Sequence, residues 1–132
     1  MYWNIWLDNQ LPSKQQSGRF LNSLKTIIDE FNPDCFGLNE VTAKTCTSDS
    51  TVLRCLSESG YRYINYAPSE RWDDTWDIGD AIVSRYPIIA SHLVPLSADV
   101  ERGDQPMAIF AHVALPGNTI LKIGVVHLRR LE

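Results

Sequence analysis

The sequence predicts an α/β protein with a mixed, mostly antiparallel sheet and two helices on one side. Two segments carry apolar residues at helical spacing, and seven further segments read as strands bounded by turn residues. The 132 residues are 44% hydrophobic and 21% charged, within the range of ordinary globular domains. A chain of this size buries enough surface for one core, so a single domain is expected.

The first third of the chain predicts a strand, a polar loop and a helix. Residues 2–7 are apolar and aromatic, and residues 8–16 are mostly polar. A helix is expected over about 17–31, with Ser17 as its N-cap. Pro33 ends it because the residue before a proline disfavours the α conformation. Its apolar face consists of Phe20, Leu24, Ile27, Ile28 and Phe31.

The rest of the chain predicts one more helix and a run of strands. The helix covers 48–59, with Gly60 in the position that follows a helix end. A short buried strand at 35–38 precedes this helix. The later strands are expected at 61–66, 80–84, 88–96, 107–115 and 119–128. The segments 67–79 and 97–106 are predicted to be variable loops, which often carry specificity.

Glu40 stands at the carboxyl end of the short apolar strand that begins at Cys35. Open α/β sheets bind their ligands at this edge, so a carboxylate here suits a metal ion. An ordinary strand-end glutamate that points into water explains the same residue, because charged side chains prefer exposure. Taken alone, the segment leaves both interpretations open.

Four segments in order resemble the endonuclease/exonuclease/phosphatase family, the deoxyribonuclease I-like metal-dependent phosphodiesterases. The first, Tyr2-Trp3-Asn4-Ile5-Trp6, resembles the family's first strand. The second, Asp34 to Val41, resembles its glutamate-bearing strand, although Asn39 stands where glutamine is usual. The others are Gly79 to Ile88 and the histidine strand Ile123 to Leu128, in which valines replace an asparagine and a threonine. The implied fold is half of a four-layer α/β sandwich.

The resemblance implies a phosphoester hydrolase and gives roles to three residues. Glu40 is the expected ligand of Mg²⁺ or Mn²⁺, Asn4 lies beside the metal and phosphate, and His127 contacts the phosphate. Without the resemblance, Asn4 reads as a turn residue and His127 as a structural histidine. An acidic residue is expected to orient the histidine. The candidates are Asp73, Asp74, Asp77 and Asp80.

Three further residues are candidates for substrate binding. Arg85 follows a strand motif and has the charge to bind phosphate, although such an arginine often pairs with a surface carboxylate instead. Trp72 and Trp76 lie together in a loop with three aspartates. Their rings suit a base or a lipid surface, while the aspartates oppose anionic membranes and non-specific DNA contact. A small or lipid-like phosphoester is the preferred substrate class, and the substrate itself stays open.

The resemblance covers about half of the family's domain. Residues 1–130 correspond to its N-terminal part, and Leu131-Glu132 resembles the scar of a cloning site. Members continue into an Asp-x-Asn element and a terminal Asp-His pair that activates water. We therefore expect a truncated domain with weak or no turnover. The alternative is a non-catalytic binding or assembly module that self-associates through an uncovered sheet face.

Charge and cysteine content bound the partners and the compartment. The formal net charge is −4 with a pI near 5.3, so the basic surface typical of nucleic-acid binding is not supported, although the family includes nucleases. No apolar run approaches the roughly 18 residues of a transmembrane helix. Three cysteines match no paired framework. Reduced thiols indicate a cytoplasmic protein, or a secreted one whose signal peptide was removed.

Overall fold

The computed structural model describes residues 2–5, 11–96 and 105–128, which form seven strands and three helices. The strands are β1 (Tyr2–Asn4), β2 (Cys35–Lys44), β3 (Tyr63–Arg71), β4 (Trp76–Ser84), β5 (Ile88–Pro95), β6 (Met107–Leu115) and β7 (Thr119–Val126). The helices are α1 (Leu11–Gln15), α2 (Gly18–Phe31) and α3 (Thr51–Glu58). No helix in these ranges is both long enough and apolar enough to cross a membrane.

The strands form two sheets that face each other. The first has the order β1-β2-β4-β3, with β1 parallel to β2 and the other pairs antiparallel. The second has the order β5-β6-β7 and is antiparallel throughout. Helices α2 and α3 cover the first sheet on the side away from the second. The predicted fold class, α/β with a mixed, mostly antiparallel sheet and two helices on one side, is confirmed.

Two apolar cores hold these layers together. Ala81 and Val83 of β4 lie in the core under α2 and α3. Ile82, between them, points the other way and packs between the sheets with Ile109 and Val125. This alternation is the period of a strand that is buried on both faces.

Helix α2 begins and ends as its sequence predicts. The Ser17 hydroxyl accepts a hydrogen bond of 3.2 Å from the backbone N–H of Phe20. Asn32 adopts the left-handed conformation with φ 43°, and its N–H donates to the carbonyl of Ile28 at 2.7 Å. Pro33 then prevents continuation of the helix.

The prediction of a variable loop over 67–79 is wrong, because β3 and β4 form a hairpin there. Its turn is closed by Asp73, whose Oδ1 accepts from the backbone N–H groups of Thr75 and Trp76 at 2.7 and 2.8 Å. The strands approach closely at Gly79, where a Cβ would collide with the carbonyl of Ala67. Strand β3 lies at the edge of the first sheet, where polar residues are tolerated. Its sequence therefore lacks the apolar alternation from which a strand is predicted.

Other boundaries also differ from the prediction. The segment 8–16, expected to be a loop, contains α1, although residues 6–10 lie outside the described part. Helix α3 begins three residues later than expected, because Ser50 is its N-cap and accepts from Leu53 N–H at 3.3 Å. Most of the predicted loop 97–106, residues 97–104, lies outside the described residues.

Candidate active site

A β-bulge in the middle of β2 creates the polar site. Between Leu38 and Val41 the ladder to β4 has two residues, Asn39 and Glu40, opposite a single residue, Asp80. Leu38 and Val41 both lie in the core under the helices, at a spacing of three that a regular strand does not allow. The extra residue therefore leaves three polar side chains together at one point of the sheet.

Glu40 takes a left-handed backbone conformation in this bulge, with φ 61°. The side chain of Gln15, from α1, holds it there. Gln15 Nε2 donates to the Glu40 carbonyl at 2.7 Å, and Gln15 Oε1 accepts from the N–H of Thr42 at 2.9 Å and from its hydroxyl at 3.0 Å. A buried side chain, rather than a strand, thus pairs the Glu40 carbonyl and the Thr42 N–H.

Asn39 and Asp80 form a buried pair beside Glu40. Asn39 Nδ2 donates to Asp80 Oδ1 at 2.6 Å, and both residues are almost fully buried. Burial raises the pKa of Asp80. The Asn39 hydrogen bond, the charge of His127 and the backbone N–H of Glu40 lower the pKa and oppose this shift, while the Glu40 charge adds to it.

His127 reaches these carboxylates from the second sheet. It follows the last residue of β7, and its Nε2 lies 3.2 Å from Glu40 Oε1. Its Nδ1 lies 3.9 Å from Asp80 Oδ1, too far for a hydrogen bond but close enough for charge interaction. The His127 side chain is 30% exposed, against 2% for Asp80, so the site opens to solvent on the histidine side.

The sheets come close enough for this contact because of Gly37. A Cβ at this position would collide with Cγ2 of Val125, which lies two residues before His127. Glycine on β2 therefore lets β7 approach and brings the histidine to the carboxylates.

Asn4 completes the cluster from β1. In the parallel pair of β1 and β2 its register partner is Asn39, and its Nδ2 donates to Glu40 Oε1 at 3.1 Å. Asn4 and His127 thus contact the same carboxylate oxygen of Glu40. The structure brings together the three residues that the sequence predicts for the metal and phosphate site.

Three buried oxygens of the site have no hydrogen-bond partner among the described residues. They are Glu40 Oε2, Asp80 Oδ2 and Asn39 Oδ1. Buried polar atoms are costly when unpaired, so each requires a partner such as a cation or water. Carboxylate and amide oxygens are the donors that Mg²⁺ prefers.

The side chains of the site suit a cation that keeps several of its bound waters. In ranges 2–5, 11–96 and 105–128, no group of three or more His, Cys, Asp and Glu side chains is arranged to hold a metal ion. Mg²⁺ commonly binds through one or two carboxylates and fills its other positions with water and phosphate. Glu40 and Asp80, each with a buried carboxylate oxygen that lacks a hydrogen-bond partner among the described residues, could serve as such carboxylates.

Of the four candidates for the acid that orients His127, the structure brings Asp80 to it. Asp73 and Asp74 lie in the turn of the β3–β4 hairpin. Asp77 forms an ion pair with Arg71 at 3.7 Å.

The three predicted substrate-binding residues lie apart from Glu40. Arg85 stands five residues beyond Asp80, about 16 Å along the strand direction, and its guanidinium lies 4.7 Å from the centroid of the Tyr61 ring. Trp76 precedes Asp80 by four residues on β4, about 13 Å away by the same rise. Trp72 lies in the hairpin turn and is exposed. Their role in substrate binding stays a prediction.

Sequence reasoning missed Gln15 and the role of Asn39. Gln15 stands among polar residues at 8–16, and neither its type nor its spacing sets it apart. Asn39 carried a signal, since it replaces the glutamine usual in the resembling family. An asparagine within an apolar strand requires a buried partner, which is Asp80.

Solved structures share this fold, whereas no family model and no curated protein matches the chain. An endonuclease/exonuclease/phosphatase from Beutenbergia cavernae DSM 12333 has a TM-score of 0.66 and 21% identity, over 82% of this chain and 32% of that one. An endonuclease/exonuclease/phosphatase family protein from Leptotrichia buccalis C-1013-b has a TM-score of 0.68 and 15% identity, over 97% and 52%. The chain has the fold of these proteins and spans about a third and a half of their lengths.

Proposed function

We propose that this chain provides the metal- and phosphate-binding part of a Mg²⁺- or Mn²⁺-dependent phosphoester hydrolase of the endonuclease/exonuclease/phosphatase family. One observation carries the proposal. Asn4 and His127, from different sheets, converge on one oxygen of Glu40, while its other oxygen is buried without a hydrogen-bond partner among the described residues. An unpaired carboxylate oxygen beside a histidine suits a cation and the phosphate bound to it.

Each residue has a proposed task in this chemistry. Glu40 would hold the metal, with Asn4 fixing the position of its carboxylate. The ion, when bound, polarises the phosphoryl oxygen and offsets the negative charge that develops on it. His127 would carry a proton at Nε2 toward a phosphate oxygen. Asp80, 3.9 Å from the other ring nitrogen, would help to orient the imidazole ring.

Turnover by this chain is expected to be slow or absent. The resemblance assigns the water-activating Asp-His pair to the part of the domain that follows the histidine strand. Loss of such a group costs several orders of magnitude in rate. Metal binding, in contrast, depends on residues that this chain contains. The preferred substrate is a small or lipid-like phosphoester, because a net charge of −4 does not favour binding to a nucleic acid.

The test measures Mn²⁺ binding and hydrolysis of an aryl phosphodiester in three proteins. Glu40→Ala removes the proposed ligand, and Glu58→Ala removes an exposed glutamate at the end of α3. Wild type and Glu58→Ala should bind Mn²⁺ equally. Glu40→Ala should not bind Mn²⁺. Any metal-dependent hydrolysis should disappear with the same variant. Equal Mn²⁺ binding by all three proteins contradicts the proposal.

A non-catalytic assembly module is the second candidate, and the outer face of the second sheet favours it. This face exposes Val94, Phe110, Ile120 and Val126, with Phe110 44% exposed. Several apolar side chains exposed on one face of a sheet favour an interface or an aggregation site. A second copy of the chain is the proposed occupant. Sedimentation should then show a mass that rises with concentration in wild type and stays monomeric in Phe110→Lys.

A further inference from the structure

Gln15 is a fully buried polar residue whose side-chain hydrogen bonds to the described residues all go to β2. It is the last residue of α1, and its relative exposure is 0%. Both ends of its amide are used: the nitrogen donates to the Glu40 carbonyl, and the oxygen accepts twice from Thr42. A buried side chain with all these bonds directed at one bulge is unlike an ordinary helix residue.

The position of β1 explains why β2 needs this side chain. Strand β1 ends at Asn4, whose register partner is Asn39, and the N–H of Ile5 donates to the Asn39 carbonyl at 3.2 Å. From Glu40 onward β4 is the neighbour of β2 within the described residues. Gln15 supplies one donor and one acceptor to Glu40 and Thr42, as a continuing strand would do.

The backbone of Glu40 depends on this support. Its φ of 61° lies in the left-handed region, which a residue with a side chain occupies only when the surroundings hold it there. In this conformation the Glu40 side chain contacts Asn4 and His127. A return to ordinary strand geometry would turn the carboxylate away from both.

We infer that Gln15 is a positioning residue: its hydrogen bonds to Glu40 and Thr42 hold the bulge so that the Glu40 carboxylate is set for a divalent cation. This inference rests on the proposed function, because it takes Glu40 as the metal ligand. Residues that orient a ligand commonly change metal affinity without touching the metal. Helix α1 thereby becomes part of the site although it contributes no ligand.

The test measures Mn²⁺ affinity by electron paramagnetic resonance in wild type and two Gln15 variants. Gln15→Met keeps the approximate length and loses all three hydrogen bonds. Gln15→Glu keeps the shape and the acceptor but loses the donor to the Glu40 carbonyl. An added negative charge near a cation would strengthen binding on charge alone, so weaker binding by Gln15→Glu reports the lost donor. Both variants should bind Mn²⁺ roughly tenfold or more weakly.

Tyr61→Phe is the matched control. Tyr61 is also fully buried, and its hydroxyl donates to the Pro33 carbonyl at 2.7 Å, before the start of β2. This variant should lose stability to urea as the Gln15 variants do, and should bind Mn²⁺ as wild type does. If wild type binds no Mn²⁺, the proposed function fails. If wild type binds it and the folded Gln15 variants bind it equally well, this inference alone is overturned.

Discussion

The amide of Asn39 donates to the carboxylate of Asp80 across 2.6 Å, in a place where both residues are at most 1% exposed. The two residues face each other because the bulge of β2 places two residues opposite one on β4. Burial disfavours the charged form of Asp80 and raises the pKa of that carboxyl. The hydrogen bond from Asn39 partly offsets this effect. The pair therefore contributes both to the stability of the first sheet and to the arrangement of the site.

Asn39→Ala should destabilise the protein by roughly 1.5–3 kcal/mol, because it removes a hydrogen bond to a buried charged group. Urea denaturation followed by circular dichroism measures this loss. Thr26→Ala is the control, since it removes an exposed bond from Thr26 Oγ1 to the Asn22 carbonyl on α2. The control should change the free energy of unfolding by less than about 0.5 kcal/mol. Equal effects of both variants would contradict the importance of the buried pair.

Gly37→Ala should cost roughly 1–3 kcal/mol of stability, because its Cβ would collide with Val125 and force the two sheets apart. The cause is tested by Val125→Ala in the same chain, which removes the colliding methyl group. The stability losses of the two single variants, added together, should exceed the loss of the double variant by at least about 0.5 kcal/mol. Strict additivity would mean that the glycine is not required by the contact between the sheets.

The three cysteines should differ sharply in reactivity. Cys46 is exposed, whereas Cys35 and Cys55 are buried, and burial raises the pKa of both buried thiols. Because the thiolate is the reactive form, a disulfide reagent at neutral pH should modify one thiol per native chain and all three after denaturation. Cys46→Ser should abolish the native reaction. Two fast-reacting thiols in the native protein would contradict the packing of β2 or α3.

The sequence was sufficient for elements whose stabilising contacts are local. Apolar spacing and the cap residues predict α2, since Ser17 and Asn32 act within one turn of its ends. The hairpin of β6 and β7 follows from two alternating runs around Gly117. Glu40 stands out in the sequence because a charge at the end of an apolar strand has no packing role.

The rest of the site depends on contacts between residues distant in sequence. Gln15 lies 25 residues from Glu40, and Asn39 lies 41 residues from Asp80. The apolar positions of β2 shift by one residue between Leu38 and Val41, but this shift does not indicate which distant residues pair with the polar groups of the bulge. The family resemblance predicted Asn4, Glu40 and His127, but it did not indicate that a helix before α2 would support the glutamate.

A divalent cation should stabilise this protein through Glu40. A ligand that binds the native state alone adds about 2.7 kcal/mol at a concentration one hundred times its dissociation constant. Mg²⁺ or Mn²⁺ should therefore raise the midpoint of thermal unfolding of wild type and of Glu58→Gln, but not that of Glu40→Gln. Without metal, Glu40→Gln should be at least as stable as wild type, because Glu40 Oε2 is buried without a hydrogen-bond partner among the described residues and its charge adds to that of Asp80. Differential scanning fluorimetry across a metal titration measures both effects. An equal rise in Glu40→Gln would place the cation elsewhere on the protein, and a large loss of stability in the metal-free variant would make Glu40 a structural residue.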